Sequence, residues 1–509
     1  MPSVMNAVNS ILVVGGGSSG WMAAAYLSKV LAGVDVTLVE SPSTPTIGVG
    51  EATIPFIRNF MNRIGFPDDR AWMPQCDATF KTGIFYENWY VKGDQYWHPF
   101  EYLDYLDAHV HTGHCWLYLH NQGHPAFRDK RSFYLSFFPS TTLNVLNSRA
   151  PWRDEYAYHL DAQLFADFLR ASSPGVRHIR DNVITTELNE RGEIDALVTE
   201  HNGRLTADLY VDCTGFRSVL MRQVAPDLRW RSYEPSLFCD RAVAIRVPYR
   251  DEDDRRASMI PFVKASAQSA GWIWTIPLFS RIGTGYVYSS SFISDAAAER
   301  ELRRYWGDER TEGVNSLRLK FRTGKFEQSW VKNCVVIGLS SGFIEPLESP
   351  GLAITQAGIE ILASMLDARY YDSSMVERYN GHLDKFYNDI LQFIIPHYSL
   401  TSRDDTEFWR AVRHDTLVPD DLQARLQVFR RHLPTAGTKG MSEVWMFRDI
   451  SWFSLLLGME FEFDVPELDG TALRAVKDLL ATKRKTLEHL MSNLPNHYEY
   501  LRDNVYRGV

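Results

Sequence analysis

Apolar positions along the chain follow two periods, and their order predicts the architecture. Ile11–Val14 is an unbroken apolar run, the pattern of a parallel strand buried on both faces. Trp21–Leu31 is rich in helix formers, and Val34–Val39 is β-branched. Residues 158–170, "YHLDAQLFADFLR", carry apolar positions at helical spacing. Short alternating strands follow, punctuated by turns at Arg191-Gly192 and Asn202-Gly203. "VKNCVVIGLSSGF" (331–343) predicts a further buried strand ending in a turn, with a helix behind it in "GLAITQAGIEILASMLDARYY". From about Ser373 the pattern is mostly helical, and "TALRAVKDLLATKRKTLEHLMSNL" is an amphipathic helix.

Segments of dinucleotide-binding type thus fall near 9–60, 155–220 and 331–370, with other material between them. The expected fold class is α/β, with an interleaved second module and a mainly helical C-terminal part. The expected boundaries are 1–75, 151–222 and 331–370 for the nucleotide-binding domain, and 76–150, 223–330 and 371–509 for a substrate module.

Bulk properties narrow the function. The 509 residues are 45% hydrophobic and 23% charged, a globular profile with ample length for a large core. The net charge of −9 gives no electrostatic footprint for nucleic acid or a membrane surface. No stretch approaches the roughly 20 apolar residues of a membrane helix. The five cysteines form no C-x-x-C, so neither a disulfide framework nor a metal site is expected. With no leader pattern at the N-terminus, the expected location is cytoplasmic.

Gly15-x-Gly17-x-x-Gly20 follows a predicted strand and opens a helix, and Glu40 closes the next strand. That context makes the glycines a dinucleotide fingerprint: Gly15 for a tight turn, Gly17 for close approach of a pyrophosphate, Gly20 for helix–strand packing, Glu40 for a ribose. Two further segments, "LYVDCTGFRSVL" (209–220), a strand ending in Asp212 with a Thr-Gly turn into a helix, and "VVIGLSSGFIEPLESPGLAI" (335–354), repeat the strand–turn–helix order and fit FAD held along its length. No second fingerprint for NAD(P)H is present. In "GWIWTIP" (271–277), Trp272 and Trp274 are two apart and share one strand face. They are either packed core or a wall against something flat.

Together, "GGGSSGWMAAAYL", "GVGEATIP", "ATFKTGIFYENW" with Lys81, "GWIWTIP" and "FIEPLESPG" resemble the flavin-dependent tryptophan halogenase family over most of the first 370 residues. The resemblance implies a flavin-monooxygenase-type FAD domain in which reduced FAD, oxygen and halide give hypohalous acid, which then travels to a separate substrate site. It implies FAD contacts from Gly15, Gly17, Ser18, Gly20, Glu40, Gly48, Val49, Gly50, Val183, Leu339 and Leu352. It makes Lys81 the residue that receives the oxidant and Glu348 the carboxylate that stabilises the attacked ring or takes its proton, with Glu345 a weaker candidate. Glu348 has a second reading, as a cap on the following helix. Trp272 and Trp274 become the wall that separates flavin from substrate. Halide falls to Ser349 and Gly351, and substrate to His98, Phe100, Trp452 and Phe453; His98 also reads as a core histidine.

Two departures stand out. Where the family often has Glu-Ser-Thr-Gly, this chain has Glu348-Ser349-Pro350-Gly351, which removes one backbone donor from the implied halide site and favours bromide over chloride. Pro350 also reads as the start of the following helix, near the first helical position, where a missing N–H is harmless. Residues 447–461 do not clearly reproduce the set that grips the amino-acid part of tryptophan. The expected substrate is therefore a small indole-like aromatic. The expected partner is a separate NAD(P)H-dependent flavin reductase, and the chain is expected to be a monomer or homodimer. The competing readings are a single-component flavin hydroxylase and a non-catalytic FAD-binding interaction protein.

Overall fold

The computed structural model describes residues 5–44, 50–105, 110–130, 132–134, 156–435, 446–464, 467–468 and 470–508. Gly48 and Val49 lie outside the described residues. The chain forms two compact units. One comprises Met1–Ala78, Leu160–Glu234 and Lys320–Asn388; the other comprises Thr79–His159, Pro235–Leu319 and Asp389–Val509.

The first unit is built on a six-stranded sheet in the order Trp330–Val331, Cys334–Val336, Leu209–Asp212, Ser10–Val14, Asp35–Glu40, Arg177–Arg180. All neighbours are parallel except the edge pair Trp330–Val331 and Cys334–Val336. Ile11, Leu12, Val13 and Val14 are buried, as a central parallel strand requires. Helix Ser18–Val30 connects the first two parallel strands and packs against Pro350–Met365 and Ala162–Ala171. Its Ala23, Ala24 and Ala25 are buried, and such small side chains permit close helix approach.

Two local expectations change. The 158–170 stretch is a strand, Ala157–Leu160, and then a helix, Ala162–Ala171. Asp161 separates them, because its carboxylate accepts from the N–H groups of Gln163 and Leu164 and starts the helix there. After Leu209–Asp212 the helix is a single turn, Met221–Val224, and Pro226 follows closely enough to stop it. Asp212 closes the preceding loop by accepting from Thr214 N, Thr214 Oγ1 and Leu220 N at 2.9, 2.7 and 2.8 Å.

The second unit contains a seven-stranded sheet in the order Ser316–Lys320, Arg241–Pro248, Arg281–Tyr288, Gly271–Pro277, Val263–Ala267, Gly83–Glu87, Gln95–Pro99. Val263–Ala267 and Gly83–Glu87 are parallel. Helix Asp449–Gly458 packs on the edge strand so closely that a Cβ on Gly458 would stand 2.3 Å from the Tyr96 ring. The expected C-terminal helix runs Gly470–Asn493. No disulfide joins any of the five cysteines, all of which are described residues. Among the described residues, no helix is long and apolar enough to cross a membrane.

Candidate functional site

The glycine loop assigns each glycine a separate task. Gly15 has φ 117°, and a Cβ there would lie 2.3 Å from the Cys213 carbonyl oxygen. A Cβ on Gly20 would lie 1.8 Å from the Gly15 oxygen, so helix and loop touch backbone to backbone. Gly17 differs, since a Cβ there would meet nothing within 4 Å. It occupies the N-cap of Ser18–Val30, with no side-chain cap and no acidic residue in the first turn. An open space in front of uncapped amides and the positive end of a helix dipole is what a pyrophosphate needs, so these residues fit FAD. The Ser18 hydroxyl is engaged elsewhere, donating to the Ala162 carbonyl at 3.1 Å.

Glu40 folds over this loop, and a Cβ on Gly16 would collide with its Oε2. Its Oε1 lies 2.7 Å from His178 Nε2, and the His178 ring meets Trp21 edge-on at 5.0 Å. His178 is a residue that sequence reasoning missed; its strand position marked it only as sheet. Gly50 has φ 88°, Leu339 sits in the turn Gly338–Ser340, Leu352 is buried near the start of Pro350–Met365, and Val183 opens a strand half-buried. Half-buried Glu51, also missed although its motif was recognised, is pushed up to about 7 by loss of hydration and then by the Asp161 carboxylate.

The segment before Pro350–Met365 is strained. Glu348 and Ser349 have φ 69° and 58°, two consecutive non-glycine residues in the left-handed region, and Ser349 precedes a proline. Such backbone costs about 1–3 kcal/mol per residue and clusters at functional sites. Glu345 and Glu348 are buried. Ser349, not Glu348, holds the N-cap position, and its side chain makes no capping bond. Its N–H donates to the Pro346 carbonyl at 3.0 Å. Pro350 stands at N1, where a missing N–H costs the helix nothing. The Gly351 amide is one of the first-turn donors that no helical carbonyl reaches, and a Cβ there would meet nothing within 4 Å.

In the second unit, Lys81 is completely buried at the end of strand Thr79–Lys81, which pairs antiparallel with Ala157–Leu160. Its Nζ lies 4.9 Å from the centroid of Phe100, a cation–π contact strengthened by burial. Phe100 meets His98 at 6.2 Å, and His98 meets Phe393 at 5.5 Å. Phe393 stacks on Phe447 at 3.8 Å and meets Trp452 edge-on at 5.0 Å. One aromatic series therefore joins Lys81, Phe100, His98 and Trp452. Phe453 belongs to another cluster, with His111, Phe133 and Phe463. Adjacent residues on a helix point about 100° apart, which lets Trp452 and Phe453 pack into these two different clusters. Phe393 and Phe447 were missed because both lie in apolar runs that read as core.

Trp272 and Trp274 are both buried, with ring centroids 6.4 Å apart. Their cross-strand neighbours are small on one side, Ala267 and Ala265, and include Gly285 on the other. A Cβ on Gly285 would lie 2.2 Å from the Trp274 ring, so glycine creates the space for that indole. Trp272 approaches Trp89 at 6.3 Å and joins the aromatic core, while both indole N–H groups have no hydrogen-bond partner among the described residues.

Similarity to known proteins is extensive. The tryptophan halogenase family profile matches residues 10–469. The chain is 37% identical to tryptophan 6-halogenase SttH of Streptomyces toxytricini, covering 97% of both chains. It is 33% identical to tryptophan 7-halogenase RebH of Lentzea aerocolonigenes, covering 97% of this chain and 98% of that one. The fold superposes on the SttH crystal structure with a TM-score of 0.88, covering 97% of this chain and 99% of SttH. It superposes on BrvH, a flavin-dependent halogenase from Brevundimonas sp. BAL3, with a TM-score of 0.84 at 31% identity, covering 97% and 99%. Family membership brings reduced FAD and a halide as co-reactants. The chain belongs to the tryptophan halogenase family and is an enzyme, a flavin-dependent halogenase.

Proposed function

We propose that this enzyme halogenates a small, electron-rich, indole-like aromatic by electrophilic substitution, with Lys81 delivering the oxidant. The observation that carries this reading is the burial of the Lys81 ammonium against the Phe100 face, in series with His98, Phe393 and Trp452. An ammonium with no exposure to water offers movable protons to a bound oxidant while aromatic walls exclude the competing solvent.

When bound, reduced FAD supplies hypohalous acid from oxygen and halide. Gly15, Gly17, Ser18, Gly20, Glu40, Gly50, Val183, Leu339 and Leu352 would hold it, together with Gly48 and Val49. The first unit is then the FAD domain and the second the substrate module. A separate NAD(P)H-dependent flavin reductase supplies the reduced cofactor. Trp272 and Trp274 keep the organic substrate away from the flavin. Glu348 accepts the ring proton or stabilises the positive charge that precedes its loss. His98, Phe100 and Trp452 contact the substrate; the separate clustering of Phe453 argues for a packing role instead.

Halide falls to the Gly351 amide and the Ser349 side chain. The Ser349 amide is spent on Pro346 and Pro350 has none, so only one of three consecutive amides remains for an anion. Bromide is cheaper to dehydrate than chloride and needs fewer compensating donors, so the reading includes a preference for bromide.

A second reading, free L-tryptophan as the substrate, is favoured by the names of SttH and RebH. One experiment separates the two. The enzyme, FAD, a flavin reductase and NADH are incubated with indole, tryptamine or L-tryptophan at equal chloride and bromide, and products are read by mass spectrometry. The proposal expects brominated indole or tryptamine to dominate, and Pro350→Thr to move the halide ratio toward chloride. Efficient halogenation of L-tryptophan at one carbon would establish the second reading; chloride at or above parity would discard the halide argument.

A further inference from the structure

His159 is buried, lies beside Lys81 and has no task in the reading above. It faces Thr79 across the ladder, and Ala157 faces Lys81. Residues two apart on a strand share a face, so Thr79, Lys81, His159 and Ala157 all project to the same side. His159 and Lys81 are therefore diagonal neighbours, about 7–8 Å apart at the backbone and within reach through a long side chain. The small Ala157 opposite Lys81 leaves room for that lysine to lean across.

The hydrogen bonds fix the imidazole's state. The Thr79 hydroxyl donates its one proton to the Pro277 carbonyl at 2.6 Å. Thr79 Oγ1 is then an acceptor toward His159 Nδ1, 3.0 Å away, so Nδ1 carries the hydrogen. In a neutral imidazole this leaves Nε2 as a bare lone pair. Nε2 is buried and has no hydrogen-bond partner among the described residues. The ring is held neutral, well below the ordinary histidine range, first by burial and then by the nearby Lys81 and His497; the Pro277 carbonyl opposes them. A buried acceptor without a donor is costly unless something uses it. Pro277 also gives the "GWIWTIP" strand a second function, since its carbonyl anchors the relay.

We propose that His159 is a positioning residue for Lys81: held by the Thr79–Pro277 relay, its Nε2 lone pair accepts a hydrogen bond from the Lys81 ammonium during turnover and points the remaining N–H groups at the oxidant. No proton changes hands in this contact. It rests on the reading of Lys81 as the oxidant-delivering residue, and hydrogen bonds of this kind often tighten only in the reacting complex.

The test compares wild type, His159→Asn, His159→Gln, Thr79→Val and Lys81→Ala. Each is assayed with indole, bromide, FAD, NADH and a reductase, with an oxidant-trapping 1,3-diketone in the bulk solution and a thermal melt as a fold control. Asparagine keeps a donor near Nδ1 and loses Nε2; glutamine places an acceptor near Nε2. The expected result is a kcat about tenfold lower for His159→Asn, with KM nearly unchanged and more oxidant trapped in bulk, and recovery to within about threefold in His159→Gln. Equal losses in both variants, or wild-type kcat in His159→Asn, would overturn the proposal. If His159→Asn does not melt cooperatively, Thr79→Val decides: a several-fold lower kcat supports the relay and wild-type kcat overturns it. Lys81→Ala separates the two levels. Halogenation retained there removes the reading of Lys81 and this proposal with it, whereas halogenation lost there with His159→Asn unaffected removes this proposal alone.

Discussion

Helices in this enzyme begin in two ways. Ala162–Ala171 and Thr112–Asn121 start on side chains: Asp161 accepts from two first-turn amides, and His111 Nδ1 accepts from His114 N at 3.2 Å. Ser18–Val30 and Pro350–Met365 start on Gly17 and Ser349 with no side-chain cap and no acid in the first turn. The capped starts spend their orphan amides on stability. The bare starts leave them, and the positive end of the dipole, for something anionic. The difference singles out these two starts only together with their glycine and strained backbone, because Ile57–Ile64 also begins, after Phe56, without a side-chain cap or an acid in its first turn.

Glu348 gives the sharpest test of that division. If it served the bare start at Pro350 as a structural carboxylate, Glu348→Gln would lower the melting temperature and leave turnover intact. As a positioned group for proton transfer or charge stabilisation, the substitution lowers kcat by about 10²-fold at an unchanged melting temperature. Steady-state kinetics beside a thermal melt distinguish the two.

The capped start at His111 makes the opposite prediction. Burial, and then His114, push the His111 imidazole down to about 3, and its cap needs Nδ1 unprotonated. An unfolded histidine titrates near 6.5, so the stabilisation is complete above that pH and is lost as pH falls toward 3. At pH 5 the loss is about 2 kcal/mol. His111→Asn keeps a good cap and removes the titration. The fall in melting temperature between pH 7 and pH 5 should shrink in this variant; an identical fall would show that His111 is not the titrating cap.

Gly17 and Gly15 sharpen the bare start from within one loop. Gly17→Ala places a methyl in open space, so the apoprotein should melt as wild type while FAD binds about tenfold more weakly by fluorescence titration. Gly15→Ala forces an unfavourable φ and a clash with the Cys213 carbonyl, so it should damage the fold itself. Unchanged FAD affinity in Gly17→Ala would show that the open space is not the cofactor cradle.

The parts legible in the sequence are those whose physics is local. Strand, glycine turn, helix and Glu40 lie within thirty residues, and each glycine's neighbours follow from that order. Pro350 at the first helical position is similarly local. What could not be read depends on distant pairing. The split of 158–170 turns on Asp161 as a cap in a stretch whose apolar spacing suits either element. His178 reaches Glu40 only through sheet order, and Phe393 and Phe447 join His98 from positions some three hundred residues away. Trp452 and Phe453 fall together near the family's double aromatic, and only the tertiary packing shows that Phe453 lies among His111, Phe133 and Phe463. The His159 relay needed the ladder register and the Pro277 carbonyl, neither of which leaves a mark in composition.

The central claim is that oxidant is made and used at different residues, with Lys81 acting only in its use. Lys81→Ala, assayed simultaneously for reoxidation of reduced FAD and for halogenated indole, tests this directly. The account predicts flavin reoxidation and FAD affinity near wild type with halogenation abolished. Halogenation at the wild-type rate, or loss of reoxidation in parallel with product, would contradict it.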